Sequence, residues 1–156
     1  MNIRTVTSIV LVLIIAGVVW VSMQEDAKPV AAVLQPDNRE LVQQGKQVYD
    51  EQCAACHGKD LEGQPNWRQR NAEGRLPAPP HDKMGHTWHH KDQLLFDLTK
   101  FGLAAVSGRD YATDMPVYKD ILSDQDIIAV LSFIKSTWPA DVRDMHDKLN
   151  RDALNK

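Results

Sequence analysis

Cysteine is scarce: the 156 residues hold two, Cys53 and Cys56, and both lie in one pentapeptide. A zinc site would want a second Cys/His pair, and a thioredoxin-like dithiol would want strand-rich βαβ surroundings. Neither is present; a structural disulfide is the third competing reading. An excess of basic charge is also missing. Lys and Arg number 18 against 21 Asp and Glu, a net −3, and beyond Met23 the balance is 17 against 21, or −4. That mild acidity argues against nucleic acid as a partner. No nucleophile–base pair and no nucleotide-binding loop is visible, so there is no ready case for an enzyme of those kinds. Long apolar runs are likewise few, and the only long one falls at the amino terminus.

What is there is Cys53-Ala54-Ala55-Cys56-His57. Two cysteines three apart with a histidine immediately after them read as a covalent attachment site for haem c. Both thiols must reach the two vinyl groups of the porphyrin, and the imidazole must lie under the iron as its proximal ligand. One covalent haem, held by Cys53 and Cys56 and ligated by His57, is therefore expected. It would also supply much of the core that so small a domain cannot build alone.

From Thr5 to Gln24 run 20 residues without a charge. As a helix they would span about 30 Å, the hydrocarbon thickness of a bilayer. The run is longer than the ~7–15 residues of a signal-peptide core and no Ala-x-Ala site follows it, which favours a retained anchor over a cleaved signal. Arg4 precedes the span while Glu25 and Asp26 follow it. The positive-inside rule then puts the body of the chain outside the cytoplasm. The expected location is the bacterial inner membrane, single-pass, with the haem domain in the oxidising periplasm. Residues 25–36 contain Pro29 and Pro36 and read as a linker able to reach roughly 40 Å.

A first helix is expected from Asp37 or Asn38, both good caps, towards Gln52, with Leu41, Val42, Gly45, Val48 and Tyr49 on one face. A glycine inside a helix costs about 1 kcal/mol relative to alanine, so Gly45 suggests a close helix crossing. With Gly45, Tyr49 and the Cys-x-x-Cys-His motif together, the stretch from Gly45 to Gly58 resembles the amino-terminal helix and haem motif of class I c-type cytochromes. The resemblance covers Asp37 to Pro139. It implies an all-α fold, a small cytochrome c-like haem-binding domain, here preceded by one transmembrane helix. It also implies that Gly45 and Tyr49 meet the last core helix, and that a proline-bearing loop offers a carbonyl to the second nitrogen of His57. Leu76-Pro77-Ala78-Pro79-Pro80 is the candidate loop, with the proline left open.

Between His81 and His90 stand four histidines besides Asp82 and Met84. Imidazole and thioether suit copper, but no recognised ligand spacing appears, and a haem-rim loop is the plainer reading. Asp92 to Phe101 carries Leu94, Leu95, Leu98 and Phe101 as one helical stripe that would line a haem wall, with Gly102 as its stop. Then comes Met115-Pro116, followed by Ser123-Asp-Gln-Asp126, a start signal for the last core helix. Met115 is the candidate distal ligand: a thioether stabilises ferrous iron, Pro116 stiffens its loop, and the position matches the family. Met84 or a histidine from 81–90 is the rival. Ile127, Val130, Leu131, Ile134 and Trp138 form the last helix face before Pro139, and residues 140–156 read as a polar tail, an exposed helix or a frayed end.

The expected division is a cytoplasmic start at 1–4, an anchor at 5–24, a linker at 25–36, a cytochrome c domain at 37–139 and the tail at 140–156. The expected function is one-electron transfer through a haem with His57/Met115 axial ligation, serving redox proteins in or at the same membrane, with a place in a respiratory or dehydrogenase complex left open. Two other readings stand beside it: a sensor or enzyme subunit whose Met115 is labile, and a copper-handling module using His81–His90.

Overall fold

The computed structural model describes residues 31–154. The expected anchor at 5–24 and the first part of the linker lie outside them. Among the described residues every regular element is helical, and no helix is long and apolar enough to cross a membrane. In chain order the helices are α1 (Arg39–Gln52), α2 (Ala54–His57), α3 (Asp92–Phe101), α4 (Leu103–Ser107), α5 (Asp124–Ser136) and α6 (Ala140–Leu154), with a 3₁₀ turn at Thr87–His89.

Local chemistry sets the ends of the principal helices. The Asn38 side chain accepts from the Leu41 amide at 3.2 Å and opens α1. Ser123 and Asp126 form a reciprocal capping box that opens α5. Gly102 adopts φ +84°, a conformation that stops α3.

The core is organised by the crossing of α1 over α5. Leu41, Gly45 and Tyr49 recur at every fourth position of α1 and are its buried residues, while Ile127, Ala129, Val130, Leu131 and Ile134 are buried on α5. A Cβ built on Gly45 would stand 2.0 Å from the Ala129 carbonyl oxygen, so only glycine lets the two backbones approach this closely. One turn further on, Tyr49 packs against Phe133 with ring centroids 5.5 Å apart. Those are the contacts that the resemblance implied for Gly45 and Tyr49.

Two expectations need correction and one needs an addition. The linker does not run freely to Pro36: from Ala31 it lies on the domain as an extended strap. Ala32 and Leu34 are buried, and the amides of Ala32, Leu34 and Gln35 donate to Gln93 Oε1, Asp92 Oδ2 and Ser132 Oγ at 3.1, 3.1 and 2.9 Å. α3 also buries a second face against the protein, beside the stripe expected to line haem. Its buried residues are Asp92, Leu95, Phe96 and Thr99, whereas Leu94 and Phe101 are exposed. Thr99 can be buried because its hydroxyl donates to the Leu95 carbonyl oxygen at 2.8 Å.

Residues 140–154, thirdly, are neither frayed nor freely exposed: α6 docks through Val142, His146 and Asn150. His146 has no exposed surface, and its Nε2–H donates to the His90 carbonyl oxygen at 2.9 Å. Asn150 donates to Asp92 Oδ1 at 3.0 Å and accepts from the Asp92 amide at 2.9 Å. Lys135, 3 % exposed, is paired with Asp147 at 2.5 Å. Asp92 thus joins the strap, α3 and α6 at one carboxylate.

Candidate functional site

The motif is shaped by helix geometry. α1 ends at Cys53, whose amide still donates to the Tyr49 carbonyl oxygen at 2.9 Å, and α2 is a single turn in which the His57 amide donates to the Cys53 carbonyl oxygen at 2.9 Å. Positions three and four apart in such a turn share a face, so Cys53 has Cys56 and His57 beside it. Both cysteines are free thiols, Cys53 half-buried and Cys56 exposed. Burial, with Cys56 nearby, pushes the Cys53 thiol up to about 11. It is therefore a thiol rather than a thiolate at neutral pH.

His57 is buried, and its Nδ1–H donates to the Pro79 carbonyl oxygen at 2.8 Å. The hydrogen bond fixes the tautomer and leaves the Nε2 lone pair free to bind a metal. Burial lowers the His57 pKa, partly offset by the bond to Pro79, so the ring is neutral and able to donate to iron. Among the prolines of the 76–80 loop the structure thus picks out Pro79. No residue pattern marked it, because the choice depends on how the loop folds back. The Gln64 amide donates to the Ala78 carbonyl oxygen and the His81 amide to the Leu61 carbonyl oxygen, each at 2.8 Å. Gly63, at φ +69°, makes the approach possible, since a Cβ there would stand 2.4 Å from Pro80 N.

The donor set suits haem c: two free thiols and a neutral imidazole whose second nitrogen is already committed. Phe101 and Val117 remain exposed, and Val117 lies where a side chain on Gly102 would go. The polypeptide therefore leaves uncovered apolar surface on the segment that leads from α3 to Met115.

Met115 is half-buried, and its amide donates to Thr113 Oγ1 at 3.1 Å. Three residues on, the buried Tyr118 donates from its hydroxyl to the Gln52 carbonyl oxygen at 2.8 Å, which ties the Met115 loop to the residue before Cys53. Arg75 pairs with Asp114 and links the same loop to the 63–80 segment. Met84, in contrast, is 67 % exposed in a turn capped by Asp82.

The histidine-rich stretch is dispersed. His81 stacks on His57 itself, with ring centroids 4.0 Å apart. His86 stacks on Trp67 and His89 on Trp88, and His90 meets His86 edge-on. Among the described residues no group of three or more His, Cys, Asp or Glu side chains is placed to hold a metal ion. Burial, then the nearby His57 and His86, drive the His81 pKa well below that of a free histidine. Its contact with His57, and the hydroxyl of Tyr118 on the end of α1, went unseen in the sequence because neither has a spacing signature.

Comparison with known proteins agrees with this geometry. The cytochrome c family model matches residues 42–138. Over 42 residues the chain is 50 % identical to the cbb3-type cytochrome c oxidase subunit FixP of Rhizobium meliloti (strain 1021), a stretch that makes up 26 % of this chain and 14 % of that protein. No solved structure matches the chain significantly. A family match over more than half of the chain, with Cys53, Cys56 and His57 in the motif position, places the protein in the cytochrome c family, with covalently bound haem c as its cofactor.

Proposed function

We propose that the chain is a one-electron carrier with a single haem, bonded through Cys53 and Cys56 and ligated by His57 and Met115. The observation that carries the reading is the hydrogen bond from His57 Nδ1 to the Pro79 carbonyl, which prepares a neutral imidazole with Nε2 available. One haem follows from one motif, since the chain has no third cysteine. When bound, haem supplies one-electron exchange between Fe(III) and Fe(II). The chain's own residues do the rest. Pro79 orients His57, and Tyr118 and Arg75 hold the loop that presents Met115. Met115 is favoured over Met84 because its loop is tied to the end of α1 beside the motif through Tyr118, whereas Met84 is exposed on a turn of its own. With His57 and Met115 both holding the iron, it would offer no site to a substrate.

Met115→Ala is expected to lower the reduction potential by on the order of 100 mV, part of the ~0.8 V range that axial ligation commands. It should also let carbon monoxide and cyanide bind readily, while Met84→Ala does neither. Loss of the sulfur-to-iron charge-transfer band in Met84→Ala but not in Met115→Ala would overturn the assignment. Rapid carbon monoxide binding by the unaltered ferrous protein would favour a sensor or enzyme instead.

The setting belongs to the same proposal: residues 5–24 anchor the chain in the bacterial inner membrane, and the haem domain works in the periplasm on redox partners at that membrane. The 20-residue uncharged run and the charges flanking it support this. So does the similarity to a subunit named for a cytochrome c oxidase, which suggests a membrane complex as the partner. Amino-terminal sequencing of the mature protein is expected to begin before Thr5. A start beyond Gln24 would make it a cleaved, soluble carrier.

A further inference from the structure

The ring of His81 is bound to no ligand role, yet it is the side chain lying face to face with His57. The two rings are 4.0 Å apart between centroids and 22° from parallel. His81 is itself held on several sides. Its Nδ1 is hydrogen-bonded to the hydroxyl of the buried Thr87 at 2.8 Å, and Tyr49 meets it edge-on at 6.4 Å. Its amide donates to the Leu61 carbonyl oxygen at 2.8 Å, and its carbonyl oxygen accepts from Trp138 Nε1 at 2.7 Å.

We propose that His81 is a positioning residue that fixes the plane of the His57 imidazole, with Thr87 locking the rotation of the His81 ring. The proposal rests on the reading of His57 as the iron ligand. The physical need for it lies in what one hydrogen bond leaves undone. The bond from Nδ1 to Pro79 sets where that nitrogen points, but hydrogen bonds weaken steeply only below ~120°, so the ring can still swing about its Cβ–Cγ bond by some tens of degrees. A flat neighbour at van der Waals distance removes that swing. The torsion to a flat ring is broad and poorly defined by itself, so the plane has to be fixed from outside the residue. An aliphatic side chain in place of His81 would fill the volume but offer no flat face, and it would have no atom for Thr87 to hold.

The imidazole plane governs how the ligand's π orbitals meet those of the iron, and it can be read without any activity. In the full-length ferric holoprotein it sets the electron paramagnetic resonance g-values and the spread of the haem-methyl hyperfine shifts in proton resonance spectra. His81→Leu is expected to shift and broaden the g-values and change that spread. His81→Phe, which keeps a flat face but gives up the bond to Thr87, should restore part of the wild-type pattern. Thr87→Val, which leaves the stack but unlocks the ring, should fall between. Denaturant midpoints measured in parallel report stability alone. If His81→Leu lowers the midpoint but leaves g-values and hyperfine shifts as in wild type, His81 is only a packing residue and the proposal fails. Should His81→Leu yield no holoprotein, Thr87→Val decides: displaced spectra support the proposal, and unchanged spectra overturn it. His57→Ala separates the two readings. If that variant keeps the wild-type axial spectrum, the ligand assignment itself is wrong; if it loses it while His81→Leu keeps it, only the positioning role is wrong.

Discussion

Gly45→Ala is expected to destabilise the protein by roughly 3 kcal/mol or more and to cut the yield of holoprotein sharply, although alanine is the better helix former. Two effects of opposite sign compete. Replacing a mid-helix glycine by alanine favours the folded state by about 1 kcal/mol through propensity. Against it stands a methyl group 2.0 Å from the Ala129 carbonyl oxygen, 2.5 Å from its carbon and 2.9 Å from Phe133 Cβ. Two of those three atoms are backbone, so no rotamer change can clear them and the α1–α5 crossing must open. Overpacking that only displaces side chains costs about 1–3 kcal/mol, and moving a helix backbone lies at or beyond the top of that range. Because α1 runs directly into Cys53, opening the crossing also disturbs the motif. Thermal unfolding of the variant checks the claim, and a melting temperature at or above wild type would show that propensity prevails and the crossing is loose.

Asp92→Ala is the second large effect, expected to cost about 3 kcal/mol. The carboxylate accepts from the Leu34 amide through one oxygen and from Asn150 Nδ2 through the other, and His146 Nε2 lies 3.4 Å away. Alanine leaves the Leu34 amide without an acceptor and Asn150 Nδ2 with the His146 carbonyl oxygen alone, and a buried donor left unsatisfied costs about 1–3 kcal/mol. In a domain of this size that is a fall in melting temperature of roughly 10 °C. Asp92→Asn keeps one acceptor oxygen and should recover part of the loss. Acid should reproduce some of the effect in the unaltered protein. Burial, together with the nearby Lys135 charge, lowers the His146 pKa, partly opposed by Asp92. The unfolded chain therefore takes up a proton near pH 6.5 that the folded chain refuses. Below that pH the unfolded state binds more protons, so stability falls as pH drops from about 6.5 towards the depressed folded value and is level above it. Denaturant titrations of wild type and His146→Gln across this range test the assignment: equal slopes would mean that another group is responsible.

The parts of the fold written in apolar periodicity and capping were legible in the chain. Asn38, the Leu41–Gly45–Tyr49 face, the Ser123 capping box and the α5 core are where the residue pattern puts them. What escaped was burial of polar groups. Thr99, Asp92, His146 and the half-buried Asn150 count as surface residues by hydropathy, and only hydrogen bonds to one another or to backbone carbonyls make their burial affordable. The strap and α6 escaped for the same reason, since both dock on that polar cluster. At the site, Cys53, Cys56 and His57 could be read from spacing alone because one helical turn brings them together. Pro79 and His81 could not, since their approach depends on the positive-φ turns at Leu61 and Gly63, which fold the 58–63 segment back onto the 78–81 segment.

The docked strap also changes the volume the domain can search. If residues 5–24 sit in a bilayer, a leash counted from Glu25 ends at Val30 instead of Pro36, six residues in place of twelve. A chain reaches at most ~3.3–3.6 Å per residue, so halving the leash cuts its greatest reach from roughly 40 Å to roughly 20 Å and would keep the haem domain nearer a partner in the same membrane. Substitutions that free Ala32 and Leu34 would then dilute the carrier without touching its haem.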